Sequence, residues 1–272
     1  MFKGIRTRIF GPDHSADADP HSAVSASGSH ALCRWSTLQI DGRRVDVFDP
    51  PDDAPLSGCV LFLHGHGRVM LKENSVFSEL FERHRLAAVC PDSGRSWWMD
   101  RICPEFDPQQ TPHQWLLDGI VPLIKNRWGI VPPNVGLLGV SMGGQGALQV
   151  AFRHARLFPV VAAISPTVNF HQLYGAGLTL DEMYASAEEA RQDTVVLNLH
   201  PLAWPRHQFF CCDPADQDWF EGCALLAMKL SSSGILHERD LETSAGGHTW
   251  DYFNHMADAA VSHIVAGLTR SD

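Results

Sequence analysis

The residues of this sequence best suited to chemistry lie in one short motif near its centre. Ser141 stands within Gly-Val-Ser-Met-Gly at positions 139–143, between an apolar run that starts at Val135 and a helical pattern that starts near Gly144. A strand that turns abruptly into a helix holds its turning residue in a strained conformation, and glycines two positions to either side leave room for the turn. We therefore expect the Ser141 hydroxyl to stand exposed at the carboxyl end of a sheet, beside unpaired N–H groups of the helix.

A histidine near the end of the chain is the predicted base for this serine. A serine hydroxyl is a weak nucleophile at neutral pH and needs a base within hydrogen-bond reach, which in turn needs an acid to hold its tautomer. His248 follows Gly246 and Gly247 and precedes a helical pattern, so it lies on a loop that can fold over the edge of a sheet. Its position after the last predicted strand distinguishes it from the other histidines of the chain.

Three carboxylates on one turn compete for the role of the acid. Asp213, Asp216 and Asp218 follow the apolar run at 209–212. Asp216 is preferred because the acid of such a site lies a few residues past the strand end, where the loop has turned towards the histidine. Asp213 is the alternative acid. Asp218 lies nearest to the following helical pattern and is predicted to cap that helix.

Acyl transfer through such a serine creates an oxyanion, which needs preorganised N–H donors. One predicted donor is the backbone N–H of Met142, directly after the serine. The other is that of His66, in the glycine-bracketed loop His64-Gly65-His66-Gly67 that follows an apolar strand. The side chain of His66 either contacts substrate or is an exposed loop residue, and His64 is predicted to be structural.

The rest of the sequence alternates between apolar runs and amphipathic patterns, which are typical of strands and helices. Two extended segments, 31–40 and 43–48, meet at Asp41-Gly42, a dipeptide suited to a tight antiparallel hairpin. Strand and helix then alternate to the end, which predicts a mostly parallel sheet with helices on both faces and ligands at its carboxyl edge. The predicted strands are 59–63, 86–90, 135–138, 159–164, 208–212 and 236–241, and the predicted helices are 75–84, 113–125, 143–154, 180–191, 220–231 and 251–267.

Two segments depart from this alternation. Residues 166–204 form a long excursion between two strands, typical of a cap-like insertion that faces the substrate, and the alternative is a surface elaboration without contact to the site. Residues 1–30 lack apolar periodicity, which predicts an irregular N-terminal lead-in. Residues 31–272 are predicted to form a single α/β domain, because a chain of 272 residues buries one large core.

Composition narrows the range of partners. The net charge of −10, from 21 basic and 31 acidic side chains, argues against binding to nucleic acid. No apolar run has the length of a membrane span or forms the core of a secretion signal, so we expect a cytoplasmic protein without a membrane partner. The seven cysteines lack zinc-type spacing and are interpreted as small buried apolar residues, with Cys103 in the most polar surroundings. No metal or nucleotide motif is present in the sequence.

Four segments, in this order along the chain, carry a resemblance to a known family. They are the loop at 63–67, the motif at 139–144, the turn at 213–216 and the histidine segment at 246–250. Together they resemble the α/β-hydrolase superfamily, and within it the putative esterase group that includes S-formylglutathione hydrolase (esterase D). The resemblance extends from about Leu61 to the C-terminus. It implies a triad of Ser141, His248 and Asp216, no cofactor, and hydrolysis of small carboxylic esters or thioesters.

The sequence departs from that group in one segment and leaves the reaction partly open. Residues 93–98 stand where the group carries its substrate loop, but with different residues, so the glutathione substrate is not transferred to this chain. Trp97 and Trp98 either line the substrate pocket or pack the insertion against the sheet. A serine esterase that forms an acyl-enzyme is the leading hypothesis. The alternatives are a thioesterase or acyltransferase on the same triad and a catalytically silent binding protein of the same fold.

Overall fold

The structure of the chain is a computed structural model that describes residues 31–51 and 55–270. The predicted irregular lead-in at residues 1–30 lies outside these residues. Within the described ranges, no helix combines the length and the apolar character that crossing a membrane requires.

The described part of the chain opens with an antiparallel hairpin. Strand β1 (Trp35–Ile40) pairs with strand β2 (Arg43–Phe48). Asp41 and Gly42 between them have φ angles of 51° and 75°, and two consecutive positive φ angles match the twist of a two-residue hairpin turn. The predicted hairpin is confirmed.

The strands of the described residues form one mixed sheet. After the hairpin come β3 (Gly58–Leu63), β4 (Leu86–Pro91), β5 (Val135–Val140), β6 (Val160–Ile164), β7 (His207–Cys211) and β8 (Glu238–Asp240). The order in the sheet is β1-β2-β4-β3-β5-β6-β7-β8. β2 is antiparallel to both of its neighbours, and all the other pairs are parallel. The carboxyl ends of β3, β5, β6 and β7 therefore meet at one edge.

Apolar residues fill both faces of the sheet. In β3, Cys59 and Leu61 belong to the core on one face, while Val60 and Phe62 belong to the core on the other. A strand covered on both faces has to be apolar at every position, which is why the sequence predicted it as a continuous run. The cysteines are buried except for the exposed Cys33, and the buried set includes Cys103.

Helices cover both faces. α1, α8 and α9 pack on the face of Val60 and Phe62, whereas α4 and α7 pack on the opposite face. A π-helical turn (Leu116–Ile120) joins α2 to α3, and 3-10 turns span Phe170–Leu173 and Val195–Leu197. The helices are α1 (Ser75–His84), α2 (Pro112–Trp115), α3 (Val121–Trp128), α4 (Met142–Arg153), α5 (Leu180–Met183), α6 (Ala187–Gln192), α7 (Phe220–Ser232), α8 (Trp250–His255) and α9 (Ala257–Thr269).

Three of the predicted helices are divided, and the one predicted at 113–125 forms α2, the π-helical turn and α3. The pattern at 180–191 forms α5 and α6, because Ser186 starts a new helix by accepting the N–H of Glu189 at 3.1 Å. The pattern at 251–267 forms α8 and α9, with Met256 as the boundary residue of both. Amphipathic periodicity continues across each break, so the sequence pattern alone does not locate it.

One residue of the long connection at 166–204, Asp193, forms hydrogen bonds with side chains of helix α4. The side chain of Asp193 accepts hydrogen bonds from Arg153 of α4 at 2.6 Å and from Arg101 at 3.0 Å. Gln149, also on α4, donates to the backbone oxygen of Asp193 at 2.6 Å. The connection therefore lies beside the helix that begins at the serine motif.

Candidate active site

Ser141 occupies the turn between β5 and α4 in a strained backbone conformation. Its φ of 55° and ψ of −123° lie in a region that residues with side chains rarely adopt. A Cβ on Gly139 would overlap the carbonyl oxygen of Gly143, and a Cβ on Gly143 would overlap the carbonyl oxygen of Leu63 on β3. Both glycines are therefore required by the close approach of backbone atoms, as the sequence predicted.

The structure brings together three side chains that the sequence singled out. His248 Nε2 lies 2.8 Å from Ser141 Oγ, and His248 Nδ1 lies 2.7 Å from Asp216 Oδ2. The Asp216 side chain is 1% exposed and the His248 side chain 28%, so a buried carboxylate holds an imidazole that reaches solvent. Because a carboxylate only accepts, Nδ1 carries the ring proton and the lone pair of Nε2 faces the hydroxyl. This tautomer is the one that can accept the serine proton.

Asp216 also contacts the start of helix α7. Its Oδ1 accepts the N–H of Trp219 at 3.2 Å, and the thiol of Cys212 lies 3.6 Å from Oδ2. Trp219 is the residue before α7, and its own side chain makes no capping hydrogen bond, so Asp216 supplies the carboxylate at this helix start. The prediction that Asp218 caps this helix is therefore wrong. The reason is a turn in which the N–H of Asp216 donates to the oxygen of Asp213 at 2.9 Å and directs Asp216 to the helix start.

Asp213, the alternative acid, binds the backbone of the histidine loop instead of the histidine ring. Its Oδ2 accepts the N–H groups of Ala245 and Gly247 at 2.7 and 2.8 Å. Its Oδ1 accepts the hydroxyl of Ser244 at 2.8 Å and the N–H of Ala215 at 2.7 Å. Burial by itself would raise the pKa of Asp213, but these four hydrogen bonds outweigh it and lower the pKa to about 2. The structure thus places Asp216, not Asp213, against His248.

The two predicted oxyanion donors belong to segments that lie beside the serine. Met142 is the first residue of α4, so its N–H has no acceptor within the helix. The loop after β3 passes close to Ser141, because a Cβ on Gly65 would lie 3.3 Å from the Cβ of Ser141. His66 follows in a turn in which the N–H of Arg68 donates to the oxygen of Gly65 at 3.0 Å.

His64 connects this loop to the segment at 93–98. It is fully buried, its Nδ1 lies 2.8 Å from the oxygen of Gly65, and its Nε2 accepts the N–H of Ser93 at 3.2 Å. A carbonyl oxygen accepts, so Nδ1 carries a proton, and Nε2 also lies 3.5 Å from Oδ1 of Asp92. The backbone oxygen of His64 accepts the indole N–H of Trp98 at 3.1 Å. These contacts fix the backbone beside His66.

Trp97 and Trp98 are both buried, at 1% and 0% exposure, and both have positive φ angles of 57° and 52°. The ring of Trp98 packs edge-on against His64, with 5.1 Å between ring centroids. The ring of Trp97 lies 5.7 Å from that of His66 and 5.8 Å from that of Phe170. Trp97 therefore connects the loop of His66 to the insertion at 166–204. Trp98 stabilises the same loop through its contacts with His64.

Other buried polar groups surround the site without an assignment from the sequence. The hydroxyls of Ser165 and Thr167 and the indole N–H of Trp97 have no hydrogen-bond partner among the described residues. The backbone N–H of Thr167 donates to the oxygen of Ser141 at 3.2 Å, which places Thr167 next to Ser141. Their position just after β6, the neighbour of β5, is the only sequence signal for Ser165 and Thr167. In the described part of the chain, no cluster of His, Cys, Asp or Glu is arranged to hold a metal ion.

Comparison with known proteins adds a family to this geometry. The sequence profile of the Esterase family, described as "Putative esterase", matches residues 60–264. No curated protein matches the chain. The matched span contains every segment of the site, from the loop of His66 to the segment of His248.

Solved structures of esterases share the fold. A ferulic acid esterase is 15% identical, with a TM-score of 0.68 over 86% of this chain and 97% of that protein. The fluorophosphonate-binding serine hydrolase F of Staphylococcus aureus is 15% identical, with a TM-score of 0.71 over 85% of this chain and 97% of its own. An S-formylglutathione hydrolase from Agrobacterium tumefaciens is 16% identical, with a TM-score of 0.71 over 86% and 94%. The predicted α/β-hydrolase fold is confirmed.

Proposed function

Because the chain belongs to the Esterase family, we propose that it hydrolyses carboxylic esters of small molecules through an acyl-enzyme on Ser141. The observation that carries this proposal is the hydrogen-bonded chain from Asp216 through His248 to Ser141, with distances of 2.7 and 2.8 Å. A serine hydroxyl becomes a useful nucleophile only beside such an oriented base. The strained turn also presents Oγ at the edge where ligands of parallel sheets bind.

In the acylation half of the reaction, Ser141 Oγ attacks the carbonyl carbon of the ester while His248 Nε2 takes the hydroxyl proton. The π electrons of the carbonyl move to its oxygen, and the N–H groups of Met142 and His66 stabilise that oxyanion. When the tetrahedral intermediate collapses, the bond to the alcohol oxygen breaks. His248 gives its proton to the departing alcohol, and the acyl group remains on Ser141.

In the deacylation half, a water molecule replaces the alcohol. His248 takes a proton from the water as its oxygen attacks the acyl carbon, and a second oxyanion forms in the same place. Collapse breaks the bond to Ser141 Oγ, which recovers the proton from His248, and the carboxylic acid leaves. Asp216 stays ionised throughout and stabilises the imidazolium that forms in both halves.

The walls of the proposed substrate pocket come from the segments that surround Ser141. We assign Trp97 to this wall because its ring lies between His66 and Phe170, which join the oxyanion loop to the insertion. Trp98 supports the wall through its contacts with His64. Insertion residues such as Phe170 then limit the size of the acyl or alcohol group.

A fluorophosphonate probe followed by peptide mass spectrometry tests the nucleophile. We expect one label on Ser141, no label in Ser141→Ala, and retention of the label in Ser165→Ala, a matched serine that also has a positive φ, of 44°. Turnover of p-nitrophenyl acetate is expected to disappear with the label. A wild-type protein that is folded, unlabelled and inactive on this ester would contradict the proposal. Parallel assays with an acyl thioester and with an added alcohol acceptor distinguish ester hydrolysis from thioester hydrolysis and acyl transfer.

A further inference from the structure

Asp213 carries a buried negative charge that takes no part in the proposed steps of acylation and deacylation. It is fully buried, and each of its two oxygen atoms accepts two hydrogen bonds of 2.7–2.8 Å. Three of the four donors belong to one short segment, residues 244–247, which lies directly before His248. A buried carboxylate that is satisfied mainly by one remote loop fixes the position of that loop.

The loop before His248 needs such a fixed point, because its own backbone is permissive. Gly246 and Gly247 have φ angles of 106° and 73°, conformations that glycine adopts at low cost and leaves as readily. The side chain of His248 is 28% exposed, so packing encloses it incompletely. The nearest atom to a Cβ built on Gly247 is the oxygen of Ala215 at 3.6 Å, an ordinary van der Waals distance. Hydrogen bonds to Asp213 therefore act together with the packing of Ala245 against the core to define the path of this loop.

The chemistry of the donors requires an ionised carboxylate at position 213. Four donors converge on the two oxygens, and only a carboxylate presents acceptors on both atoms. An asparagine in the same place would direct its NH2 group at two of those donors. The hydrogen bonds keep the carboxylate charged at neutral pH, because they lower its pKa in spite of burial.

We propose that Asp213 is a positioning residue for the reaction: it holds residues 244–247 so that His248 Nε2 stays within hydrogen-bond reach of Ser141 Oγ. The inference rests on the proposed function, because it concerns the same nucleophile and base. The two carboxylates of this turn then have different roles. Asp216 binds the imidazole ring and stabilises its charge, whereas Asp213 binds the backbone that carries the ring.

The main test compares Asp213→Asn with Asp46→Asn. Asp46 is also a fully buried carboxylate, but it lies on β2, where it binds Arg44 and Thr37. In Asp213→Asn we expect the kcat for p-nitrophenyl acetate and the rate of fluorophosphonate labelling of Ser141 to fall about 10- to 100-fold, with KM little changed, because small displacements of a catalytic group have effects of this size. In Asp46→Asn the folded protein is expected to label at the wild-type rate. An Asp213→Asn protein that is folded and labels at the wild-type rate would overturn the inference.

The pH–rate profile separates positioning from charge stabilisation. In Asp216→Asn the imidazolium loses its charge partner, so the midpoint for His248 in the profile of kcat/KM moves to lower pH. In Asp213→Asn we expect a lower plateau and a smaller movement of the midpoint. A midpoint shift in Asp213→Asn as large as in Asp216→Asn would show that Asp213 acts as a second acid, and would overturn the positioning role.

Ser244→Ala provides a variant that keeps the buried carboxylate and removes one of its hydrogen bonds. Ser244 is exposed, and its hydroxyl supplies one of the four hydrogen bonds to Asp213. We expect a two- to fivefold slower labelling rate, about the effect of one lost hydrogen bond on loop position. If Asp213→Asn does not fold, a Ser244→Ala protein that labels at the wild-type rate overturns the inference. Failure of the wild-type protein to label Ser141 at all is a different result, which contradicts the proposed function.

Discussion

The serine side and the histidine side of the site are held in place by different forces. Ser141 is fixed by sterics, since Gly139 and Gly143 bring backbone atoms so close that a single added carbon would overlap them. His248 is held by hydrogen bonds to two carboxylates: its ring N–H donates to Asp216, and backbone N–H groups just before it donate to Asp213. One half of the site is a packed core feature, and the other is a polar loop at the edge of the sheet.

Because of this difference, substitutions on the two sides of the site should affect different properties of the protein. The turn at Ser141 packs against strands β3 and β5 and starts helix α4, so we expect a change there to disturb the sheet as well as Ser141. The loop at 244–247 contributes only the partly buried Ala245 to the packing of the apolar core, so we expect a change there to move His248 while the sheet remains intact. We therefore expect substitutions on the serine side to act through stability and those on the histidine side to act through kcat.

The largest effect is expected from Gly143→Ala, which adds a carbon where the oxygen of Leu63 already lies. The clash requires β3 and α4 to separate, so the free energy of unfolding should fall by more than about 4 kcal/mol, and activity should be lost with the fold. Urea unfolding followed by circular dichroism measures this. Gly67→Ala is the control, because its Cβ meets nothing closer than 3.9 Å. A folded, stable Gly143→Ala protein would contradict the steric account.

Asp216→Asn is expected to have the next largest effect, now on rate. An amide in place of the carboxylate favours the wrong tautomer of His248 and removes the charge that stabilises the imidazolium, so kcat should fall about a thousand- to ten-thousand-fold. The thermal unfolding midpoint should change far less than in Gly143→Ala. Steady-state kinetics on p-nitrophenyl acetate measures the loss of kcat. A decrease of less than tenfold would show that a residue other than Asp216 stabilises the imidazolium.

A pH-dependent prediction concerns His66, on the packed side. Burial, with Arg95 and His64 adding to the effect, lowers the pKa of His66 from its ordinary value of 6.5 to about 4. The unfolded chain therefore takes up a proton on His66 near pH 6.5, while the folded protein does so only near pH 4. The free energy of unfolding should fall by about 2 to 3 kcal/mol as the pH drops through this window.

Urea unfolding of the wild type and of His66→Gln at several values between pH 7 and pH 4 measures this contribution. The variant has no ring to titrate, so the difference in unfolding free energy between the two proteins should change across the window and level off below pH 4. A difference that is constant with pH would show that His66 titrates alike in both states.

The smallest effect is expected at Cys212, whose thiol lies 3.6 Å from Asp216 Oδ2. Removing this weak donor in Cys212→Ala should lower kcat about two- to fivefold through a less constrained carboxylate. Cys212→Ser keeps a donor at the same place and should stay closer to the wild-type kcat. Equal rates in all three proteins would leave the thiol with a packing role alone.

Local features of the site are readable from the sequence, and one distant contact is not. The apolar run, the glycines and the helix start around Ser141 are neighbours in the chain, so their types predict the turn directly. Asp213 and Asp216 follow the same strand, and the expected distance from the strand end to the acid favours Asp216 but leaves Asp213 as an alternative. Their placement depends on one turn, with 2.9 Å between the N–H of Asp216 and the oxygen of Asp213, and on which donors the histidine loop offers.

The fold shows the same limit. Continuous apolar runs predicted the buried strands, because burial on both faces dictates composition at every position. Such patterns do not predict the backbone conformation of Trp97 and Trp98. Their positive φ angles accompany contacts with distant residues: Gln145 on α4 donates to the backbone oxygen of Trp97, and the indole of Trp98 donates to His64. A conformation imposed by tertiary contacts leaves no periodic signal.

The burial of the cysteines makes this protein a reporter of its own unfolding. Six of its thiols are buried and one, Cys33, is exposed, and burial raises the pKa of Cys59 and Cys211 so that little thiolate is present at neutral pH. An alkylating reagent should therefore add a single mass increment to the native chain and seven to the unfolded one. The distribution of masses after a short pulse then counts native and open molecules directly, without an engineered dye.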